Sequence, residues 1–178
     1  MKEILAFSGS MSADSINHKL VNHAAGFAKS CNVNVIRLLD FEAPLYSKER
    51  EAEGGIPESI QKLRALFDKA DGFIISTPEY NSSLPAGFKN TMDWLSRMEG
   101  KTFQEKPVLL MSATPGGRGG QSVLGHLSSI IPYWGAKLVG PFSLPTFHEN
   151  FGGDSMNAPL ESELKEKIQE LESAIQAD

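Results

Sequence analysis

The chain has 178 residues, and 17 Lys and Arg against 22 Asp and Glu leave a formal net charge of −5. That length suits one domain spanning residues 1–178, with a core that takes roughly 70% of the unfolded chain's surface out of water. No apolar run nears the roughly 18 residues of a spanning helix, the N-terminus turns polar too early for a signal peptide, and mild acidity disfavours non-specific nucleic-acid binding. The single cysteine, Cys31, cannot form an internal disulfide, which points to a reducing, cytoplasmic setting.

In chain order, Ile4 to Phe7 is a short apolar run ending at Ser8-Gly9-Ser10, a buried strand leading into a loop. Ile16, Leu20, Ala24 and Phe27 recur about once per helical turn and predict a helix over 16–29. Residues 34–39 form a second strand, and 40–55, with Pro44 and Gly54-Gly55, a long loop. Pro57 suits the first turn of a helix whose buried face is Ile60, Leu63, Leu66 and Phe67. Phe73 to Ile75 is a third strand, closed by Pro78, which has no N–H for a central ladder. A loop over 78–85 leads into a helix over 86–98. Val108 to Met111 is a fourth strand, followed by the glycine-rich stretch Thr114 to Gly120. Val123, Leu127, Ile130 and Trp134 give another helical face, and Lys137 to Val139 a fifth strand. Residues 143–158 lack a period and suit an ordered loop or a subunit contact. Leu160, Leu164, Ile168, Leu171 and Ile175 define the last helix.

Strands alternating with helices mean an α/β fold with an open parallel sheet covered on both faces. Right-handed crossovers leave few topologies, and this length fits a flavodoxin-like three-layer sandwich with strand order 2-1-3-4-5. Ligands bind such sheets beyond the carboxyl ends of the strands. The loops after strands 1, 3 and 4 are unusual in composition, and that order makes them neighbours on one rim.

The first loop carries Ser8, Ser10, Ser12 and Ser15 and then opens a helix, whose N–H groups and positive end favour an anion. The same residues also fit a plain strand-to-helix turn capped by Ser15 or Asp14. In the third loop Gly116, Gly117, Gly119 and Gly120 would let backbone N–H groups approach a flat ligand, or simply make a surface turn. Rival motifs fail: a phosphate-binding Walker loop meets Pro141 where Lys is needed, a dinucleotide fingerprint meets Ser122, and a nucleophile elbow meets Leu124. His18, His23, His126 and His148 are scattered, so no metal site is expected and the four are read as surface or packing residues. Cys31, placed at a helix end without a basic partner, is read as an inert thiol.

Taken together, three motifs resemble the NADPH-dependent FMN reductase family, a flavodoxin-like group that includes quinone, chromate and azo-dye reductases. They are Gly9-Ser10-Met11-Ser12-Ala13-Asp14-Ser15-Ile16-Asn17, then Pro78-Glu79-Tyr80-Asn81 with Lys89-Asn90-Thr91-Met92-Asp93-Trp94, and Pro115-Gly116-Gly117. The likeness covers roughly residues 3–140, and its middle motif is the specific one. Ser12 stands where the family has an arginine.

The resemblance implies that Ser10, Ser15, Ile16 and Asn17 hold the phosphate of FMN. It implies that Pro78, Glu79, Tyr80 and Asn81 line the isoalloxazine, largely through backbone groups, and that Thr114, Gly116 and Gly117 flank it. Phe88, Trp94 and Leu95 are expected in the core, and Lys89, Asn90 and Asp93 as braces of their helix against the loop. The implied activity is NADPH- or NADH-dependent reduction of a quinone, flavin, azo or similar acceptor through FMN. No side chain is named as catalytic, because the cofactor carries the chemistry. A homodimer or homotetramer is implied, with no nucleic-acid or membrane partner. The alternative function is a flavodoxin-type electron carrier without nicotinamide turnover.

Overall fold

The computed structural model describes residues 1–153 and 155–177. Five parallel strands form one sheet: β1 (Lys2–Ser8), β2 (Cys31–Arg37), β3 (Gly72–Ser76), β4 (Lys106–Ala113) and β5 (Ala136–Leu144), in the order β2-β1-β3-β4-β5. The helices are α1 (Ile16–Ala25), α2 (Lys48–Gly54), α3 (Glu58–Lys69), α4 (Ala86–Leu95), α5 (Gln121–Ile130), the one-turn α6 (Phe147–Asn150) and α7 (Ala158–Ala177). The topology is the flavodoxin-like one expected from the alternation of apolar runs and helical faces.

The strands' period of two divides the core. Leu5 and Phe7 face one layer, while Ile4 and Ala6 face the other. The first layer holds α3, α4 and α5, with Phe7, Phe67, Phe73 and Phe103 in ring contact at centroid distances of 4.9–5.7 Å. Each such ring, fully buried, contributes on the order of 1.5–3 kcal/mol. The second layer holds α1 and α7. The buried Glu172 of α7 accepts backbone N–H bonds from Lys29, Ser30 and Cys31 at 2.7–3.0 Å, fixing the last helix to the turn that opens β2.

Several boundaries differ from the sequence reading, each for a physical reason. The first helix stops at Ala25, because Gly26 caps it, and β2 begins at Cys31 rather than 34. Cys31 therefore opens a strand instead of ending a helix; it is buried, and burial raises its thiol pKa, as an inert thiol requires. The second strand ends at Arg37, not Leu39, because a 3-10 turn, Leu38–Phe41, takes over there, and the expected loop 40–55 holds the charged helix α2, which buries no residue and so shows no apolar period. The fifth strand runs on to Leu144: the ladder slips at Val108/Leu109, and a bulge around Val139 and Gly140 absorbs Gly140 and Pro141 on this edge strand. Within 143–158, expected as an ordered loop or a subunit contact, the chain forms α6 and a two-stranded hairpin, Phe151–Gly152 with Ser155–Met156; residue 154 lies outside the described residues. Among the described residues no helix is long and apolar enough to cross a membrane.

Candidate functional site

The three suspect loops leave the sheet side by side and are tied at their roots. Gly9 N–H donates to Ser76 O at 2.8 Å, Thr77 N–H to Met111 O at 2.9 Å and Thr114 N–H to Leu144 O at 3.1 Å, so each strand exit holds the next. A Cβ on Gly9 would stand 2.9 Å from Thr77 Oγ1, so the first loop passes the second only because residue 9 has no side chain.

The first loop folds through its own hydroxyls. Ser8 Oγ accepts from Ser10 N–H and Ser10 Oγ from Ser12 N–H, both at 3.1 Å. Ser15, in extended conformation, caps α1 by accepting from His18 N–H at 3.3 Å. The N–H groups of Ile16 and Asn17, one position nearer the helix start, have no carbonyl four residues back within the helix and carry its partial positive charge. Asn17 is only 1% exposed. Its Oδ1 accepts from Ser76 Oγ at 2.7 Å and Ala113 N–H at 2.8 Å, and its Nδ2 donates to Ala113 O at 2.9 Å. That side chain fastens α1 to the ends of β3 and β4, which leaves the backbone N–H as the group of Asn17 free to meet a ligand. Ile16 likewise packs its side chain on the core and offers its N–H.

In the second loop, Glu79 accepts from Val123 N–H at 3.1 Å and so caps α5, whose own N-cap, Gly120, has no side chain. Tyr80 and Ser83 exchange backbone bonds of 2.9 and 3.0 Å around Asn81 (φ 50°) and Ser82 (φ 61°). Two successive left-handed residues make a type I′ turn, a geometry that Asn accepts readily. The turn pushes Tyr80, 48% exposed, and Asn81 out onto the rim. His126 of α5, read from sequence as surface or packing, lies with Nδ1 3.3 Å from Ser83 Oγ and links the turn to α5.

The other half of the middle motif is a brace, but against a different loop from the expected one. Asn90 accepts from Tyr46 N–H at 2.8 Å and donates to Ala43 O and Pro44 O; Trp94 Nε1 donates to Pro44 O at 2.7 Å. These side chains fix residues 43–46, not the Tyr80 turn. Phe88, Trp94 and Leu95 are fully buried, as expected, and Lys89 and Asp93 form an exposed ion pair along α4.

The glycines of the third loop separate into two kinds. Gly119 and Gly120 have φ of 60° and 75°, and side chains there would run into Ser143 and Ser112. Gly116 and Gly117 have nothing within 4 Å of a would-be Cβ. Their backbone is held from below: Thr114 Oγ1 and Thr146 N–H both donate to Gly116 O, at 2.9 and 3.0 Å, and Phe147 N–H donates to Thr114 O. Sequence reasoning missed this support from the segment after β5, where Thr146 itself has φ 41°. Pro78 is half-buried at the base of the second loop, between Thr77 and the capping Glu79.

The rim thus offers one end rich in hydroxyls and helix N–H groups and one open end with exposed Tyr80 and Asn81 and unobstructed Gly116 and Gly117. Among the described residues no group of three or more His, Cys, Asp or Glu side chains is placed to hold a metal ion. A family model described as NADPH-dependent FMN reductase matches residues 2–149. The chain belongs to the NADPH-dependent FMN reductase family. It is 33% identical over 138 residues to a quinone reductase of Escherichia coli, an alignment that covers 77% of this chain and 73% of that one. It is 28% identical over 175 residues to an NAD(P)H-dependent FMN reductase of Pseudomonas aeruginosa, covering 98% and 93%. Among solved structures it superposes on the flavoenzyme NAD(P)H:(acceptor) oxidoreductase of Paracoccus denitrificans with a TM-score of 0.80 and 25% identity, covering 98% and 99%. The site suits this family's cofactor: the uncapped N–H groups of α1 match a terminal phosphate, and the open backbone at Gly116 and Gly117 leaves room for a planar ring.

Proposed function

We propose that this FMN reductase holds one FMN per chain across the three-loop rim and reduces quinone-type acceptors with NAD(P)H. The observation that carries the proposal is the pairing, on one sheet edge, of a helix N-terminus braced by hydroxyls with the open Tyr80–Asn81 and Gly116–Gly117 platform. Held by the first, second and third rim loops, FMN would supply the hydride-accepting and electron-transferring chemistry between nicotinamide and acceptor.

The protein's part is to bind, orient and exclude. Ser10, Ser15 and the N–H groups of Ile16 and Asn17 meet the phosphate, and the α1 dipole adds up to about 1 kcal/mol at an ordinary site. Pro78, Glu79, Tyr80 and Asn81 border the ring chiefly through backbone groups, the Glu79 carboxylate being engaged by Val123 N–H. Thr114, Gly116 and Gly117 border it from the other side. Backbone N–H donors already fixed by the loops would stabilise negative charge on the ring without having to reorient. The exposed Tyr80 belongs against a nicotinamide, an acceptor or a second subunit. A homodimer or homotetramer suits that exposure, and the lone reduced Cys31 suits the cytoplasm. The competing reading, an electron carrier without nicotinamide turnover, gains nothing from the family or from the relatives named above.

The test is direct. The purified protein, reconstituted with FMN, should release FMN on heating, identified by chromatography, and should oxidise NADPH or NADH when a quinone is added. Release of FAD, failure to take up any flavin, or flavin binding without nicotinamide oxidation would each contradict the proposal.

A further inference from the structure

The family's arginine in the first loop is absent here, and Ser12 in its place is exposed. A second cation comes to the same place from another strand. Arg37 is the last residue of β2, whose partner in the ladder is Ser8, the last residue of β1. Its side chain crosses to the first loop, and Nη1 donates to Ala13 O at 3.0 Å, one residue from Ser12. A guanidinium has five N–H donors, so this bond leaves four.

The other charges around the loop do not fill the role. Lys19 is paired with Asp14 at 2.9 Å. His18, at the start of α1, is held below its ordinary pKa by burial first and by Arg37 second, so it is neutral near pH 7. Asp40 adds a negative charge near His18, opposing Arg37. Among the described residues, Arg37 is thus the cation that bonds the first loop's backbone.

We propose that Arg37 replaces the missing first-loop arginine, donating from β2 to the FMN phosphate; this rests on the FMN reading above. It is a binding residue, distant from the reacting ring. Its second task, holding Ala13 O, keeps the loop closed around the phosphate.

The experiment titrates FMN and riboflavin into the full chain freed of flavin, followed by flavin fluorescence at low and at moderate salt. Four proteins are compared: wild type, Arg37→Gln, Ser12→Arg and the double variant. Arg37→Gln should weaken FMN roughly tenfold, the scale of one partly exposed charge-assisted hydrogen bond, and flatten the salt dependence of FMN binding. Riboflavin, which has no phosphate, should bind all four alike. Ser12→Arg should restore FMN affinity in the Arg37→Gln background and add less than that in the wild type, because both guanidiniums serve one phosphate. The inference is overturned if Arg37→Gln leaves FMN affinity unchanged, or weakens FMN and riboflavin equally. It is also overturned if the loss keeps the wild-type salt dependence and resists Ser12→Arg, which would make Arg37 a brace of the loop alone. A wild type that binds riboflavin or FAD but not FMN would instead defeat the FMN reading itself, a distinguishable result.

Discussion

The two halves of the middle motif share one loop and one helix and do opposite work. Pro78 to Asn81 ends in an exposed turn, with Tyr80 and Asn81 on the rim and few partners for their side chains. Asn90 and Trp94, one helix later, are turned inward and hold residues 43–46 through four hydrogen bonds. A contiguous motif is therefore not a contiguous site. Its exposed half is the part proposed to meet the flavin, and its inward half makes the support on which α4 stands.

The largest effect that sharpens this contrast is on stability. Trp94→Ala removes a fully buried indole, its T-shaped contact with Tyr46 and its bond to Pro44 O, and should cost about 3–5 kcal/mol in urea unfolding. Tyr80→Ala should stay within about 0.5 kcal/mol, as surface substitutions do. Equal losses at the two sites would break the comparison.

The glycine-rich loop gives a second, smaller test of the same idea. Gly120→Ala meets both a left-handed backbone and Ser112, and should destabilise by about 2 kcal/mol or more. Gly117→Ala, in open space, should leave stability within about 0.5 kcal/mol and act on flavin affinity instead. Thermal melts with and without FMN separate the two.

A smaller loss than at Trp94 or Gly120 is expected at Asn81, where alanine in the left-handed turn should cost about 1 kcal/mol. Asn81→Gly accepts that backbone freely and should recover the stability. If the amide side chain serves the rim, NADPH–quinone turnover should fall in both variants; turnover restored by glycine would leave Asn81 a turn residue only.

The fold was legible because its central strands are buried on both faces. Ile4 to Phe7, Phe73 to Ile75 and Val108 to Met111 are continuous apolar runs, and such runs alternating with amphipathic helices admit few topologies. The fifth strand runs past the expected end at Val139 because a bulge on an edge strand carries Gly140 and Pro141 through, residues that sequence alone would place outside a strand. Helix α2 buries nothing, so hydrophobic period has no purchase on it. The rim loops were legible from composition and from the motif; the tasks of single side chains were not. Asn17 bonds Ala113 across 96 residues, Asn90 bonds Tyr46 across 44 and Arg37 bonds Ala13 across 24. A polar side chain has no local periodicity that announces a distant partner, and only the folded sheet brings these together.

Amide hydrogen exchange of the full chain with and without FMN tests the central claim most directly. Exchange should slow at residues 9–17, 78–83 and 114–117, with no change at 43–46 or along α7. Protection centred on 43–46 and α4, or none at the first loop, would contradict it.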